Sequence, residues 1–160
     1  MKTIKTFDPS DVHKYFKDQL PPDSEELIRI HKQFTDELFL TSKMNDFQWK
    51  RLSEIKQNFK LAETPISTEA ITTSINGNKK LLSYLHVLSQ CPELITEKFR
   101  VNEFNTLGYY EVILFIDGQW QIVIVDDYVP WNGDFVSARP FDNEIWLVLL
   151  EKAWAKVNGG

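Results

Sequence analysis

Cysteine is nearly missing from this sequence, whose 160 residues contain only Cys91. One cysteine can form neither an internal disulfide bond nor a cysteine-based zinc site, so we expect a chain that works in the reducing environment of the cytoplasm. Long apolar runs are missing too, because the N-terminus has no signal-peptide pattern and no stretch approaches the length of a membrane span. We therefore expect no association with a membrane.

Positive charge is also scarce. The chain carries 18 Lys and Arg against 23 Asp and Glu, a formal net charge of −5. This balance provides no basic field for the phosphates of nucleic acids or for anionic lipids. The sequence contains no glycine-rich nucleotide-binding motif, no H-E-x-x-H zinc motif and no EF-hand calcium loop. We expect the partners of this chain to be other proteins, and neither nucleic acid nor membrane.

Apolar side chains are plentiful, since 42% of the residues are hydrophobic and 13% are aromatic. A chain of this length can bury about 70% of its unfolded surface in a single core. The N-terminal part is charged and helical in pattern: Asp23 can cap a helix in which apolar residues recur at helical spacing. This apolar face can pack on the domain or bind a partner. Its candidate interaction residues are Leu27, Phe34 and Leu38.

A second helix is predicted after a threonine-rich loop. Asn78 is a suitable N-cap, and leucines follow at positions 81, 82, 85 and 88. Pro92 ends this helix and starts a shorter helical turn, because a proline is tolerated only at the first positions of a helix.

Strand patterns dominate from residue 100 onward. Two apolar runs, Tyr109–Ile116 and Trp120–Val125, flank Asp117-Gly118, which is a strong signal for a two-residue hairpin turn. Both faces of these runs are apolar, so we expect the hairpin to be covered on both sides. A short strand near Phe135–Arg139 and a helix over Glu144–Val157 follow. This order of elements, with helices first, then an antiparallel sheet and then one helix, predicts an α+β fold.

Reactive side chains do not form an obvious site. His13, His31 and His86 lie far apart, and Cys91 stands between two predicted helices. A nucleophilic cysteine needs a histidine partner and a lowered pKa, so we interpret Cys91 as an inert, half-buried thiol. The adjacent pair at positions 126 and 127 consists of two aspartates. Neighbouring strand residues point to opposite faces, so we expect this pair to accept hydrogen bonds from the following loop rather than to share a ligand.

Several segments resemble the catalytic domain of calpain-type cysteine proteases. A strand pair around G-Q-W at residues 118–120 runs into D-D-Y-V-P at residues 126–130. The most specific segment is the final helix, E-I-W-L-V-L-L-E-K-A-W-A-K-V-N-G at residues 144–159, and W-K-R-L-S-E-I at residues 49–55 also matches. Together these segments extend the resemblance over residues 47–160.

This resemblance implies the first lobe of a papain-like α+β fold, with N-terminal helices, a central helix, a small antiparallel sheet and a C-terminal helix. We therefore divide the chain into an N-terminal helical extension, residues 1–46, and a calpain-like protease core, residues 47–160. A second calpain-type lobe or a larger assembly is an expected partner.

The resemblance also implies that the catalytic cysteine has been replaced. In active members this cysteine starts the central helix within Q-G-x-x-G-D-C-W-x-L, and the alignment places Lys79 at its position. Thr73 falls on the glutamine that helps to form the oxyanion hole. The histidine and asparagine of the family's triad come from the second lobe. We therefore expect no catalytic residue in this chain.

Calcium binding is expected to be weak or absent for a related reason. The family holds an ion in the first lobe with backbone carbonyls and acidic side chains. Glu144 matches one of these acids, while Ala70 replaces another. Losing a carboxylate removes much of the charge of an oxygen-rich site. We expect no cofactor, and we expect Glu144 to remain as an acid at the N-terminus of the last helix.

Three functional hypotheses follow. The first is a catalytically inactive calpain-like module in protein–protein interaction or scaffolding inside a larger intracellular assembly, with Trp131 as a further contact candidate. The second is the N-terminal lobe of a calcium-dependent cysteine endopeptidase. The third is a structural component of a cytoskeletal or ciliary assembly. The replaced nucleophile favours the first hypothesis and argues against an enzyme.

Overall fold

The computed structural model of the chain describes Gln33, Thr35, Asp36 and residues 47–62, 66, 71, 78–100, 103–139 and 142–158. Within these residues the elements follow in the order β1 (Gln48–Arg51), α1 (Leu52–Ile55), α2 (Lys79–Leu88), α3 (Pro92–Thr96), β2 (Tyr109–Ile116), β3 (Gln119–Asp126), β4 (Tyr128–Trp131) and α4 (Trp146–Val157). Helices occur together with small antiparallel sheets, which confirms the predicted α+β fold.

The predicted hairpin is formed by β2 and β3, which pair antiparallel with Tyr109 opposite Asp126. Asp117 and Gly118 connect the strands with φ values of 51° and 78°. These left-handed values are typical of the tightest hairpin turns. The predicted burial of both faces is wrong at the tip, where Phe115 is 59% exposed. Its ring packs on Trp120 of the neighbouring strand, at 5.1 Å between centroids, instead of entering the core.

A second antiparallel pair joins β1 to β4 and includes a proline. Pro130 lies opposite Trp49. Among the described strands, β4 pairs with β1 alone. The other edge of β4 therefore faces no strand that would need the N–H group that proline lacks. The predicted strand over Phe135–Arg139 is wrong, since Phe135 forms only an isolated bridge. Gly133, with φ of 77°, turns the chain there, and the Asp134 side chain accepts the amide hydrogen bond of Phe135.

The two middle helices confirm the sequence prediction. α2 begins at Lys79 behind the N-cap Asn78, and α3 begins at Pro92. Leu82 and Leu85 of α2 and Ile95 of α3 are buried, because leucines spaced three and four residues apart share one face of a helix.

The last helix, α4, is the centre of the core. It begins at Trp146, two residues after the predicted start, and every side chain from Trp146 to Ala153 is buried. The buried stretch includes two charged residues, Glu151 and Lys152. None of the described helices is long and apolar enough to cross a membrane. The other buried apolar side chains of the core come from α1, α2, α3, β2, β3, β4 and the loop after α1, and include Leu52, Leu61, Leu82, Ile95, Val112, Val125 and Val129.

The N-terminal segment contacts this core at three described residues. The backbone amide of Asp36 donates to Oδ2 of Asp126 at 2.6 Å, and the Gln33 side chain donates to the carbonyl oxygen of Thr106 at 3.2 Å. Thr35 accepts a hydrogen bond from Arg51 at 3.1 Å. These contacts join part of the predicted extension to the core.

The predicted N-terminal helix is wrong at Gln33, Thr35 and Asp36, none of which is helical. The physical reason is visible at Asp36, whose amide donates to a carboxylate on β3 instead of a carbonyl one turn earlier. The interaction candidates Leu27, Phe34 and Leu38 lie outside the described residues. The boundary between residues 46 and 47 stays a prediction.

Candidate functional site

The candidate site lies at the start of α2, where the resemblance places the nucleophile. Asn78 has φ of −71° and ψ of 93°, an extended conformation, and its Oδ1 accepts a hydrogen bond of 3.1 Å from the amide of Leu81. This is the usual arrangement of an N-cap, which satisfies one of the free amides in the first turn. The chain therefore starts the helix at Lys79 for a local reason.

Glu151 of α4 fixes the same point from the opposite side. Its Oε1 accepts a hydrogen bond of 3.0 Å from the backbone amide of Asn78, and its Oε2 accepts one of 2.6 Å from the amide of Ala138. The carboxylate is 8% exposed, so water competes little for these bonds. One buried side chain thus connects the start of α2, the loop after β4 and the last helix.

Two exposed lysines, Lys79 and Lys80, occupy the first turn of α2. The first turn contains no acidic residue, and neither lysine forms an ion pair with a described residue. The N-terminus of a helix carries a partial positive charge, so a cation there is unfavourable by a few tenths to about 1 kcal/mol. The candidate site is therefore electropositive on a chain whose net charge is −5.

Among the described residues, the thiol of Cys91 and the imidazole of His86 both lie away from Lys79. Thr73 and Ala70 lie outside the described residues. The predicted half-burial of Cys91 is wrong: its side chain is exposed, because the residue is at the N-cap position of α3, beyond the far end of α2. His86 is exposed in the last turn of α2. Since α2 rises about 1.5 Å per residue, Lys79 and His86 are roughly 10 Å apart along its axis.

Glu144 is buried, at 3% exposure, but it does not belong to α4. The indole N–H of Trp146 donates to its Oε2 at 3.2 Å, and its backbone forms an isolated bridge with Lys60. The expectation of an acid in the first turn of the last helix is wrong, because the helix starts two residues later. Across the described residues, no group of three or more His, Cys, Asp or Glu side chains is placed to hold a metal ion.

Asp126 and Asp127 point in different directions and have different cationic partners, Lys152 and Arg51. All four side chains are buried. Asp126 also accepts the amide hydrogen bond of Tyr128 at 3.1 Å. The prediction that a following loop donates to the pair is wrong in this respect, because Tyr128 is the first residue of β4. The ion pairs were not predicted. The two aspartates therefore build the core and do not form a shared site.

Burial shifts the pKa values of Asp127 and Lys152 more than the attraction of their partners does. It raises the pKa of Asp127, and the neighbouring Arg51 guanidinium offsets only part of that effect. Burial likewise lowers the pKa of Lys152, against the attraction of Asp126. Desolvation disfavours the charged form of each group, so the partners must stay close to keep the pairs ionised.

Gly108 makes the Arg51–Asp127 pair possible. Its φ is +70°, and a Cβ at this position would lie 2.5 Å from Nη1 of Arg51 and 2.8 Å from Oδ1 of Asp127. Only glycine combines this backbone conformation with so close an approach. The signal in the sequence is a glycine directly before the strand β2.

Trp131, the remaining interaction candidate, is half-buried at the end of β4. Its ring makes an edge-to-face contact with Phe135 at 5.3 Å, and the Lys50 ammonium lies 5.6 Å from the ring centroid. These contacts hold the loop after β4 in place.

The chain matches a known protein family over most of its length. The family described as "Calpain family cysteine protease" matches residues 16–160. The match therefore includes residues 16–46, which the predicted boundary assigned to an extension. Residues 16–46 contain none of the family segments quoted in the sequence analysis.

Several plant and animal proteins are similar to this chain. "Calpain-type cysteine protease ADL1" of Oryza sativa is 30% identical over 156 residues, which is 90% of this chain and 7% of that protein. "Calpain-type cysteine protease DEK1" of Zea mays is 30% identical over 122 residues, 70% of this chain and 6% of that protein. The human "Calpain-1 catalytic subunit" is 31% identical over 124 residues, 74% of this chain and 17% of that protein.

The chain spans between 6% and 17% of the length of these relatives. The family match nevertheless covers most of the chain and both segments that position the candidate site, the start of α2 and the last helix. The chain belongs to the calpain family of cysteine proteases.

Proposed function

We propose that this chain is a calpain-type lobe that does not cleave peptide bonds and that acts by binding other proteins within a larger assembly. The observation that carries the proposal is Lys79. This residue is exposed and begins α2, at the position that the resemblance assigns to the nucleophilic cysteine. A position that lacks the thiol cannot form the acyl-enzyme on which cysteine proteases depend.

The electrostatics of the helix start agree with this proposal. In an active member the partial positive charge of the N-terminus stabilises a thiolate. Here the same end carries two exposed ammonium groups and no acid in the first turn. Lysine nucleophiles in proteins are commonly desolvated in an apolar pocket. Lys79 does not meet this condition, because it is exposed.

Cys91 is the only alternative thiol in the sequence. It follows α2 at the end opposite to Lys79, and its amide donates to the carbonyl oxygen of Leu88 at 2.9 Å. The helix that it caps has five residues. Cys91 therefore has no route to the position of the family nucleophile.

The second candidate is the N-terminal lobe of a calcium-dependent cysteine endopeptidase. The names of the similar proteins favour it, since they are called cysteine proteases or a catalytic subunit. The replacement at Lys79 opposes it. Activity therefore distinguishes the two candidates directly.

The experiment treats the intact protein with a fluorescent epoxide probe for cysteine proteases, and with casein, in the presence and absence of millimolar calcium. We expect neither labelling nor casein fragments, whereas a calpain catalytic subunit tested in parallel should show both. Calcium-dependent cleavage that is lost in Lys79→Ala, or labelling that is lost in Cys91→Ser, would overturn the proposal.

A further inference from the structure

An apolar groove of about 410 Å³ lies beside α2, between this helix and α3, β2 and α4. One wall consists of Leu81, Leu85 and Leu88 of α2, and the opposite wall includes Leu150 and Trp154 of α4. The groove is within the size range of binding pockets in proteins. We call it the α2–α4 groove.

Large exposed side chains surround its opening. Tyr84 is 70% exposed and Trp154 is 38% exposed, and both line the groove. Exposed aromatic residues around an apolar depression are typical of interaction surfaces. By comparison, Val87 is 69% exposed on the same helix but does not line the groove.

The charge of the groove is of one sign. Of the described residues that line it, Lys80 and Lys98 are charged and none is a carboxylate. Burial lowers the pKa of Lys98, and its ammonium lies 4.8 Å from the ring centroid of Trp120. A carboxylate brought to this rim would stabilise both ammonium groups, on a chain that is otherwise acidic.

The length of the groove also restricts its occupant. Leu81 and Leu88 are seven residues apart on α2, which corresponds to about 10 Å along the helix axis. This distance equals the spacing of anchors at positions i and i+7 on a helical ligand, with a third anchor at i+3 or i+4 between them.

We propose that the α2–α4 groove binds an acidic amphipathic helical segment of a partner protein. The segment places two or three large apolar side chains in the groove and directs Asp or Glu side chains towards Lys80 and Lys98. This inference rests on the proposed function and names the surface and the partner chemistry through which it acts.

The described part of the N-terminal segment lies elsewhere on the molecule. Gln33 and Asp36 contact Thr106 and Asp126, neither of which lines the groove.

The test measures fluorescence anisotropy of a labelled 14-residue helical peptide with the intact protein in 0.15 M salt. The peptide carries Leu, Phe and Leu at positions i, i+3 and i+7 and Glu at the exposed positions. A second peptide replaces each Glu by Lys. The variant Lys80→Glu removes one rim cation, and Lys79→Glu is its matched control, because Lys79 is adjacent and exposed but does not line the groove.

We expect the acidic peptide to bind at least tenfold more tightly than the basic peptide. Lys80→Glu should weaken binding at least fivefold, and Lys79→Glu should change it less than twofold. Circular dichroism of each variant verifies that the fold is retained. Tyr84→Glu should weaken binding of the acidic peptide more than Val87→Glu does.

Several outcomes would overturn the inference: no binding of the acidic peptide at 100 µM, equal binding of both peptides, or equal effects of the two lysine variants. Displacement of the peptide by a fatty acid at stoichiometric concentration would identify a lipid site instead. Self-association that Tyr84→Glu abolishes would identify a second copy as the occupant. None of these results bears on the absence of protease activity, which the epoxide probe measures separately.

Discussion

The backbone amide of Asp36 donates a hydrogen bond of 2.6 Å to Oδ2 of Asp126, which lies 90 residues further along the chain. The carboxylate of the same Asp36 pairs with Lys156 of α4 at 2.5 Å. Asp36 therefore joins the end of β3 to the last helix, although it lies before the boundary predicted for the core.

Replacing Asp36 tests whether this connection stabilises the core. Asp36→Ala leaves the half-buried ammonium of Lys156 without its carboxylate, so the free energy of unfolding should fall by about 1 to 3 kcal/mol. Urea denaturation of the intact protein, monitored by tryptophan fluorescence, measures the change. Arg139→Ala is the control, because it removes an exposed ion pair with Asp134 but leaves the hydrogen bond from Phe135 to Asp134 in place, and it should cost less than about 1 kcal/mol. Equal effects of the two variants would show that Asp36 contributes no more than a surface charge.

A second prediction concerns Gly108. Gly108→Ala forces Arg51 and Asp127 apart, because the new Cβ would lie within 3 Å of both side chains. The loss of stability should approach, but not exceed, the roughly 3 to 5 kcal/mol that removal of one partner of a buried pair costs. Gly133→Ala is a matched control, since Gly133 has φ of +77° but a Cβ added there would meet no atom within 4 Å. It should cost only the strain of the left-handed conformation, about 1 to 2 kcal/mol. The loss of stability in each variant is measured by thermal unfolding.

The pH dependence of stability provides a third prediction, at Tyr110. This side chain is 3% exposed, and burial raises its pKa well above the ordinary value of 10.0. In the unfolded chain the phenol ionises near pH 10, whereas the folded protein keeps it protonated. The folded state then binds more protons than the unfolded state, so stability falls as the pH rises above 10, by up to about 1.4 kcal/mol per pH unit.

Tyr110→Phe removes this dependence. At pH 7 the variant should be less stable by about 1 kcal/mol, because the amide of Asn105 loses the phenol oxygen as its acceptor. Between pH 10 and pH 11 that difference should shrink. Tyr84→Phe is the control, because it alters an exposed ring. The free energy of unfolding of this variant should depend on pH as that of the wild type does. If the free energy of unfolding of Tyr110→Phe and of the wild type fell equally with pH above 10, the raised pKa of Tyr110 would be contradicted.

The fourth prediction concerns the start of α2. In a Cys91→Ser background, the thiol introduced by Lys79→Cys should react with iodoacetamide at pH 7 several-fold faster than the thiol introduced by Val87→Cys. Both positions are exposed, but only the first receives the partial positive charge of the helix N-terminus, which favours the thiolate. Rates are measured by intact-mass spectrometry. Equal rates would mean that the helix start does not activate a thiol.

Local features of the fold could be predicted from the sequence. The turn at Asp117-Gly118 and the cap at Asn78 depend on residues within three or four positions of one another, and both are found in the structure. The strand expected after Gly133 was wrong for an equally local reason, since the turn and the Asp134 side chain divert the backbone.

The charged contacts of the core could not be predicted. Arg51 and Asp127 are 76 positions apart, and Glu151 and Asn78 are 73 apart. Charged residues in a helix usually face solvent, so the pattern around Glu151 and Lys152 suggested no burial. The position of Lys79 at a helix start followed from the family resemblance together with the local cap, and the structure agrees on the helix start.

The hydrogen bond from Asn78 to Glu151 has a wider consequence for position 79. Both groups that fix the helix start, the Asn78 side chain and the Glu151 carboxylate, bond to the main chain of the first turn and its cap. Neither depends on the side chain at position 79, which is exposed to solvent. The side chain at position 79 therefore lies at the same place whatever its identity. A substitution there can change the chemistry of the site without changing the fold.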